Sequence, residues 1–338
     1  MTDFRSDNTH GASPEILEVL TRIAAGTITS YGNDEITARV RERCRELFET
    51  DLEILPLATG TGANALSIAA MTPPWGGIFC HDDAHIHRDE MGAPEFFTQG
   101  AKLFPIPGPH GKLEAATLAG VIDDIACEGR TAKPSCVSLT QATEAGTVYT
   151  PDEVRALCEV AHARGCRAHM DGARFANAVV SSGASLADLT WRAGVDVLVF
   201  GATKNGALAA ELIVMFDKSL AEELRTRWHR GGHRYSKMRF LSGQFEAYLA
   251  DDLWLRNARH ANAMAARLAA AMPELLMPVE ANVVFARLDP ATIAKVREQG
   301  FLFYDWPLFG EGAVRLVCGF STVVEEVDAL VAALNGAR

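Results

Sequence analysis

Residues 198–215 read LVFGATKNGALAAELIVM, and within them Lys204 follows directly on an apolar run. Lysine is rarely enclosed unless its charge is paired or chemically employed. Its ordinary reading is a loop-tip residue, with the stem lying over apolar surface and the amine in water. The residues before it, VDVLVFG (195–201), have the apolar, β-branched character of a strand covered on both faces. Working outward, strand-like and helix-like segments alternate from about residue 35 to residue 220. EILPLATGTGANALSIAAM (53–71) reads as a strand, a glycine turn and a small-residue helix. GGIFCHDD (76–83), PSCVSLTQA (134–142) and CRAHMDG (166–172) read as further strands. TPDEVRALCEVAHARG (150–165) is a helix in which Thr150 caps, Pro151 takes the first helical position and Glu153 completes a capping box. Such alternation predicts an α/β protein with a mainly parallel sheet.

After about residue 245 the pattern changes. A long alanine-rich helix (255–272) leads to VEANVVFARL (279–288), GAVRLVCGF (312–320) and a last helix with an expected capping box of Thr322 and Glu325. The expectation is a large domain over 1–245 and a smaller C-terminal α+β domain over 246–338. The 338 residues are 48% hydrophobic and 22% charged, an ordinary globular balance. A formal net charge of −11 without a basic run argues against nucleic-acid binding. Seven scattered cysteines form no C-x-x-C pair, which suits reduced thiols better than a disulfide frame. No apolar run suits export or a bilayer span, so the expected location is the cytoplasm, with no membrane partner.

Ligands in open α/β sheets gather beyond the carboxyl ends of the strands. Four such ends carry chemistry here. They are the Thr59-Gly60-Thr61-Gly62 turn entering a helix, the His81 to His87 stretch, Asp171-Gly172-Ala173-Arg174, and Lys204. Pyridoxal 5′-phosphate needs this combination: an amine to hold it covalently, an anion to keep its ring nitrogen protonated, a phosphate cradle and a flat group against its ring. Lys204, Asp171, Gly60 with Thr61, and His85 fill those roles in turn. Taken alone, Asp171 before a glycine is more commonly a turn residue.

Rival readings remain open at this level. Gly60-Thr61-Gly62-Ala63-Asn64-Ala65 satisfies G-x-G-x-x-A after a strand, with Asp82 and Asp83 about twenty residues on, so an NAD-dependent oxidoreductase is a competitor. It leaves Lys204, Asp171 and Arg174 without work. His81, His85 and His87 with two aspartates suggest a metal site, with His85 and His87 on one side of a strand, but no second ligand motif accompanies them and no metal is expected. A silent cofactor-binding scaffold is the blandest alternative.

The motifs RSDN (5–8), YGND (31–34), ATGTGAN (58–64), DAHIHRDEMGAPEFF (83–97), QATEAGTV (141–148), HMDGARFANA (169–178), GATKNG (201–206), SKMRFLS (236–242) and VRLVCGF (314–320) resemble the low-specificity L-threonine aldolases, including the phenylserine aldolase branch. That resemblance runs over nearly the full length. It implies the aspartate-aminotransferase-like fold of pyridoxal-phosphate-dependent transferases and reversible cleavage of β-hydroxy-α-amino acids to glycine and an aldehyde. It also implies a homotetramer with active sites at a dimer interface. Carried over by motif, Lys204 is the covalent lysine, Asp171 the ring-nitrogen partner and His85 the stacking group, with Gly60 and Thr61 at the phosphate. Ser6, Arg174 and Arg315 bind the substrate carboxylate, for which a planar guanidinium fork is suited. Arg239, or alternatively Arg234, reaches the neighbouring subunit's phosphate; Tyr31 lies in a family motif. The family's second histidine, before the QATE strand, is missing from ACEGRTAKPS (126–135), where Arg130 stands near its place. This leaves His85, His87 or an ordered water to accept the hydroxyl proton. The same parts serve β-elimination and transamination, and the resemblance alone selects aldol cleavage.

Overall fold

The computed structural model describes residues 2–337. Strands follow in chain order as β1 (Thr2–Asp3), β2 (Glu53–Leu57), β3 (Gly76–His81), β4 (Lys102–Ile106), β5 (Lys133–Thr140), β6 (Arg167–Gly172), β7 (Val197–Gly201), β8 (Glu211–Met215), β9 (Val283–Arg287), β10 (Phe301–Leu302), β11 (Tyr304–Asp305) and β12 (Ala313–Val317). Seven of them form one sheet in the order β2-β8-β7-β6-β5-β3-β4. The run from β4 to β7 is parallel, and β8 lies antiparallel between β2 and β7. The sheet is therefore mainly parallel, as the alternation predicts.

Both faces of this sheet are buried, which is why β7 is apolar without alternation. Leu198, Phe200, Leu212 and Val214 join one apolar cluster with Phe48, Phe175 and Trp254. Val197, Val199, Ile213 and Met215 join another with Leu66, Ile68 and Trp228. The two-residue period of a strand assigns each side chain to its layer. The helix Gly60–Met71 is buried almost throughout, because its small residues let it lie close against the sheet. Its cap is Thr59, whose Oγ1 accepts the Gly62 N–H at 3.2 Å.

The capping box before the helix Pro151–Ala163 is present. Thr150 Oγ1 accepts the Glu153 N–H at 3.2 Å, and Glu153 Oε2 accepts the Thr150 N–H at 2.7 Å. The box expected at the last helix is displaced by one residue. Thr322 Oγ1 takes the Gly319 N–H at 2.9 Å, closing the preceding turn, so the helix runs Val324–Ala337 and Glu326 accepts the Val323 N–H.

A separate antiparallel sheet, β11-β12-β9, packs with the helices Leu253–Ala269, Pro290–Glu298 and Val324–Ala337 around its own apolar cluster. The chain's beginning belongs to this layer: β1 pairs with β10, and Phe4 is buried in the same cluster. Six residues into the chain the backbone has already reached the chemistry described next.

Candidate active site

One cleft opens at the sheet edge where β2, β3, β5, β6 and β7 end and β8 begins. Its first lobe, about 290 Å³, is walled by Gly60, Thr61, His85, Asp171, Arg174 and Lys204 among others. A second lobe of about 250 Å³ shares His85, Arg174 and Lys204 and adds Ser6 and Arg315. Of the predicted site residues, Arg239 lines neither lobe, and nor do Arg234, His87 and Tyr31. A larger cavity, about 710 Å³ between Tyr31, Arg41, Arg225 and Arg234, shares no residue with either lobe, so size does not mark the chemistry here.

Lys204 sits in the turn after β7, partly exposed to the cleft. Its amine has no hydrogen-bond or ion-pair partner among the described residues. Burial and the positive charge of Arg174 lower its pKa, against the pull of Asp7, Asp171 and Glu211. An amine with a weakened hold on its proton is a better nucleophile, the condition for covalent catalysis by lysine.

Asp171 is the last residue but one of β6, the strand beside β7. Its Oδ1 accepts the Ala173 N–H at 2.9 Å and its Oδ2 accepts Asn64 Nδ2 at 2.8 Å. The same Asn64 amide nitrogen donates to Glu90 Oε1 at 2.9 Å, and that oxygen also meets His85 Nδ1 at 2.9 Å. A hydrogen-bonded chain thus runs from Asp171 through Asn64 and Glu90 to His85. The bond to Glu90 raises the His85 pKa, outweighing burial, with Asp171 adding to it. A proton held on Nδ1 by the carboxylate leaves Nε2, in the neutral ring, as the acceptor.

Arg174 makes a bidentate, buried ion pair with Asp7: Nε to Oδ2 at 2.7 Å and Nη2 to Oδ1 at 2.9 Å. Asn282 Nδ2 also donates to Asp7, at 3.0 Å. Burial works against ionisation of Asp7, but the Arg174 and Lys204 charges and these bonds win, holding its pKa at about 2. Arg174 keeps Nη1 free of Asp7. Arg315 lies over the Trp306 ring, 5.5 Å from its centroid, and donates to the Arg5 carbonyl at 3.2 Å. Burial and the nearby Arg174 bring its pKa down to about 10. Two guanidinium groups enclosed together are poised for an anion.

The sequence reading missed Asp7, Asn64, Glu90, Glu144 and Glu211. Glu144 lines both lobes; Oε1 accepts the His85 N–H at 2.7 Å and the Thr140 hydroxyl at 3.0 Å, while Oε2 is buried without a partner. The available signals were an asparagine inside a helix, a poor place by propensity, and a carboxylate opening the apolar run ELIVM.

Other expectations shift. His85 and His87 lie on a short helix, His85–Arg88, rather than on one side of a strand, and His87 points to the exposed side. That removes His87 as the proton acceptor. Within the chain, Arg130 is exposed before β5, at the opposite edge of the sheet from the cleft. Arg239 begins the helix Arg239–Leu249 with its Nε buried and unpartnered. Arg234 lies over the Tyr31 ring in the larger cavity.

The rival chemistries fit less well. A dinucleotide fold needs β2 and β3 side by side, yet β8, β7, β6 and β5 separate them. His81, Asp82 and Asp83 cluster closely, but both His81 nitrogens are engaged by backbone: Nδ1 accepts the Asp83 N–H at 3.0 Å and Nε2 meets the Gly108 carbonyl at 3.1 Å.

Comparison with known proteins joins this geometry to a family. The model described as beta-eliminating lyase matches residues 3–290. The chain belongs to the beta-eliminating lyase family. Within the beta-eliminating lyases it is 44% identical to the low specificity L-threonine aldolase of Pseudomonas aeruginosa, across 98% of this chain and 97% of that one. The solved structure of Leishmania major threonine aldolase superposes with a TM-score of 0.93 at 28% identity, covering 99% of both chains. An aspartate aminotransferase from Rhodobacter sphaeroides, at 15% identity, shares the fold with a TM-score of 0.73 over 99% of this chain and 91% of that one. This beta-eliminating lyase is thus an α/β enzyme of aminotransferase-like architecture. No helix among its described residues is long and apolar enough to cross a membrane.

Proposed function

We propose that the chain is a pyridoxal-phosphate-dependent aldolase that cleaves L-β-hydroxy-α-amino acids, such as L-threonine, L-allo-threonine and L-phenylserine, reversibly to glycine and an aldehyde. The observation that carries this reading is the convergence of the unpaired Lys204 amine and the fixed Asp171 carboxylate on one cleft. The cleft suits the cofactor on its own terms. A Cβ built at Gly60 would meet nothing within 4 Å, leaving open space at the start of a helix. There the first N–H groups have no acceptor within the helix, and the dipole favours an anion. Asn64 Oδ1 and the Oε2 atoms of Glu90, Glu144 and Glu211 are buried without partners.

When bound, the cofactor supplies an electron-withdrawing ring that takes up the electrons of a bond broken at the amino acid's Cα. Lys204 would hold it covalently through its amine. Asp171, oriented by Asn64 and the Ala173 N–H, would keep the ring nitrogen protonated. Gly60 and Thr61 would hold the phosphate, and His85 would stack on the ring. Ser6, Arg174 and Arg315 would hold the substrate carboxylate, with Asp7 turning the Arg174 fork. That clamp would fix the orientation of the amino acid and so select the bond that breaks. His85 Nε2 receives the β-hydroxyl proton; general-base help of this kind is worth about 10²–10⁴-fold. The Glu90 carboxylate keeps the other nitrogen protonated, which covers the task without the absent second histidine. The larger, cofactor-binding domain reaches to about residue 245, and residues 246–338 form the smaller one, which the opening strand and Phe4 join rather than the large domain expected for them. The enzyme works in the cytoplasm as a tetramer of paired subunits, with Arg239 reaching the neighbour's phosphate.

Incubating the loaded enzyme with the three amino acids and measuring glycine and each aldehyde tests the reading. Equal amounts of glycine and aldehyde are expected. Formation of a keto acid with ammonia, or of a keto acid with aminated cofactor, would instead assign β-elimination or transamination.

A further inference from the structure

Glu211 opens β8 between the two turns that matter most. In register it faces Leu57, the last residue before the Ala58-Thr59-Gly60 turn, on one side. On the other it faces Gly201, three residues before Lys204. Because β8 runs against both neighbours, its first residue lies at the edge where they finish. The side chain is 6% exposed and borders the same lobe as Thr59, Gly60 and Thr61. Thr203 donates its hydroxyl to Oε1 at 2.6 Å. Oε2 is buried and has no partner. A Cβ at Gly201 would come within 2.9 Å of Oε2, so glycine is what leaves room for this carboxyl.

An ionised carboxylate in that place would need a donor on each oxygen, and only one is supplied. A neutral carboxylic acid needs only an acceptor for its proton. Other charged and titratable groups face it: Lys204 from the turn after β7, Asp171 from β6 and Tyr248 from the helix Arg239–Leu249. Burial pushes the Glu211 pKa up to about 7, against the Thr203 hydrogen bond and the Lys204 charge, with Asp171 adding to the rise. A phosphate in the neighbouring turn offers acceptors only, and its negative charge favours the neutral acid further.

We infer that Glu211 is a cofactor-binding residue which, in its protonated form, donates a hydrogen bond from Oε2 to the phosphate seated at Thr59–Thr61. The inference rests on the cofactor reading above. Retention of pyridoxal phosphate is then linked to one proton, because the loaded protein binds that proton more tightly than the empty one.

The test compares cofactor dissociation from the wild-type holoenzyme and from Glu211→Gln, whose amide donates at every pH. Equilibrium dialysis between about pH 6.5 and pH 9, followed by the visible absorbance of bound cofactor, reads it out. Above the Glu211 pKa the wild type should lose affinity relative to Glu211→Gln by up to roughly tenfold per pH unit. With pyridoxal, which lacks the phosphate, the two proteins should behave alike. In the wild type, the ³¹P resonance of the bound phosphate should shift with the same midpoint, and this measurement needs no variant. Parallel pH profiles for the two proteins, or the same contrast with pyridoxal, would overturn the role of Glu211 while leaving the cofactor reading intact. A wild-type protein with no visible band at any pH would overturn the cofactor reading itself, and this inference with it.

Discussion

Lys204 draws its character from an amine that has no direct hydrogen-bond or ion-pair partner among the described residues, and that makes it the sharpest single target. Lys204→Ala should abolish the visible band of the covalently held cofactor together with turnover; a variant keeping both would refute the assignment. For Glu90→Gln the expectation concerns pH. The Glu90 bond raises the His85 pKa, and a base works only once it has lost its proton. The acid limb of kcat/KM against pH should therefore move to lower pH in the variant. An unmoved limb would separate His85 from the proton transfer. Asp7 carries a stability prediction. Its pKa is depressed from an ordinary value near 3.8 to about 2, so its contribution is complete above about pH 4 and fades as pH falls through 2. Asp7→Asn leaves Arg174 buried without its charge partner, and unfolding free energy at pH 7 should drop by about 3–5 kcal/mol. KM should rise as the carboxylate clamp loosens; urea unfolding and steady-state kinetics read the two effects. The residues legible in sequence were those whose type already implied chemistry: a lysine after an apolar strand, an aspartate before glycine, paired arginines. Glu211 lies seven positions past Lys204 and passed unremarked, because only the fold reveals that its strand returns to the same edge.

Secondary elements were readable where local chemistry decided them. The helix Pro151–Ala163 has its reciprocal cap as expected, and Thr150→Ala should cost about 1 kcal/mol, visible as a lower urea midpoint with an unchanged slope. Where a tertiary partner competed, the reading slipped. The Thr322 hydroxyl was claimed by the Gly319 N–H, and the following helix began one residue late. His85 and His87 looked like alternate residues on one face of a strand, but β3 stops at His81 and the chain turns into a helix, which parts them. Strand β8 escaped notice because small residues on its leading side mask the boundary, and an antiparallel return within a parallel sheet has no periodic signature. The Asn64 position shows the same limit: an asparagine one turn into a buried helix makes sense only once Asp171 and Glu90 are found on either side of it.

At the scale of the molecule, motif order conveyed the architecture because each chemical group sits at a strand end, and a parallel sheet gathers its strand ends on one edge. The proposed contacts with a second subunit have no such guide. Arg239 lies outside the cleft of its own chain with Nε buried and unsatisfied, whereas Arg234 is spent on Tyr31. If Arg239 serves a neighbour's phosphate, Arg239→Ala should weaken cofactor retention by about tenfold, and Arg234→Ala should leave it within a factor of about two. The opposite ranking in dialysis would exchange the two roles.

The pairing of β1 with β10, and the grip of Asn282 on Asp7, set a timetable for the newborn enzyme. Asp7 and the residues around it are made early, yet three groups that hold this segment are translated much later: Asn282 on Asp7, Phe301 opposite Thr2 and Arg315 on the Arg5 carbonyl. Until then Asp7 can pair with Arg174 alone, and the proposed carboxylate clamp lacks Arg315. A nascent polypeptide arrested short of those positions should therefore be unable to recognise an amino acid, however well its central sheet has formed.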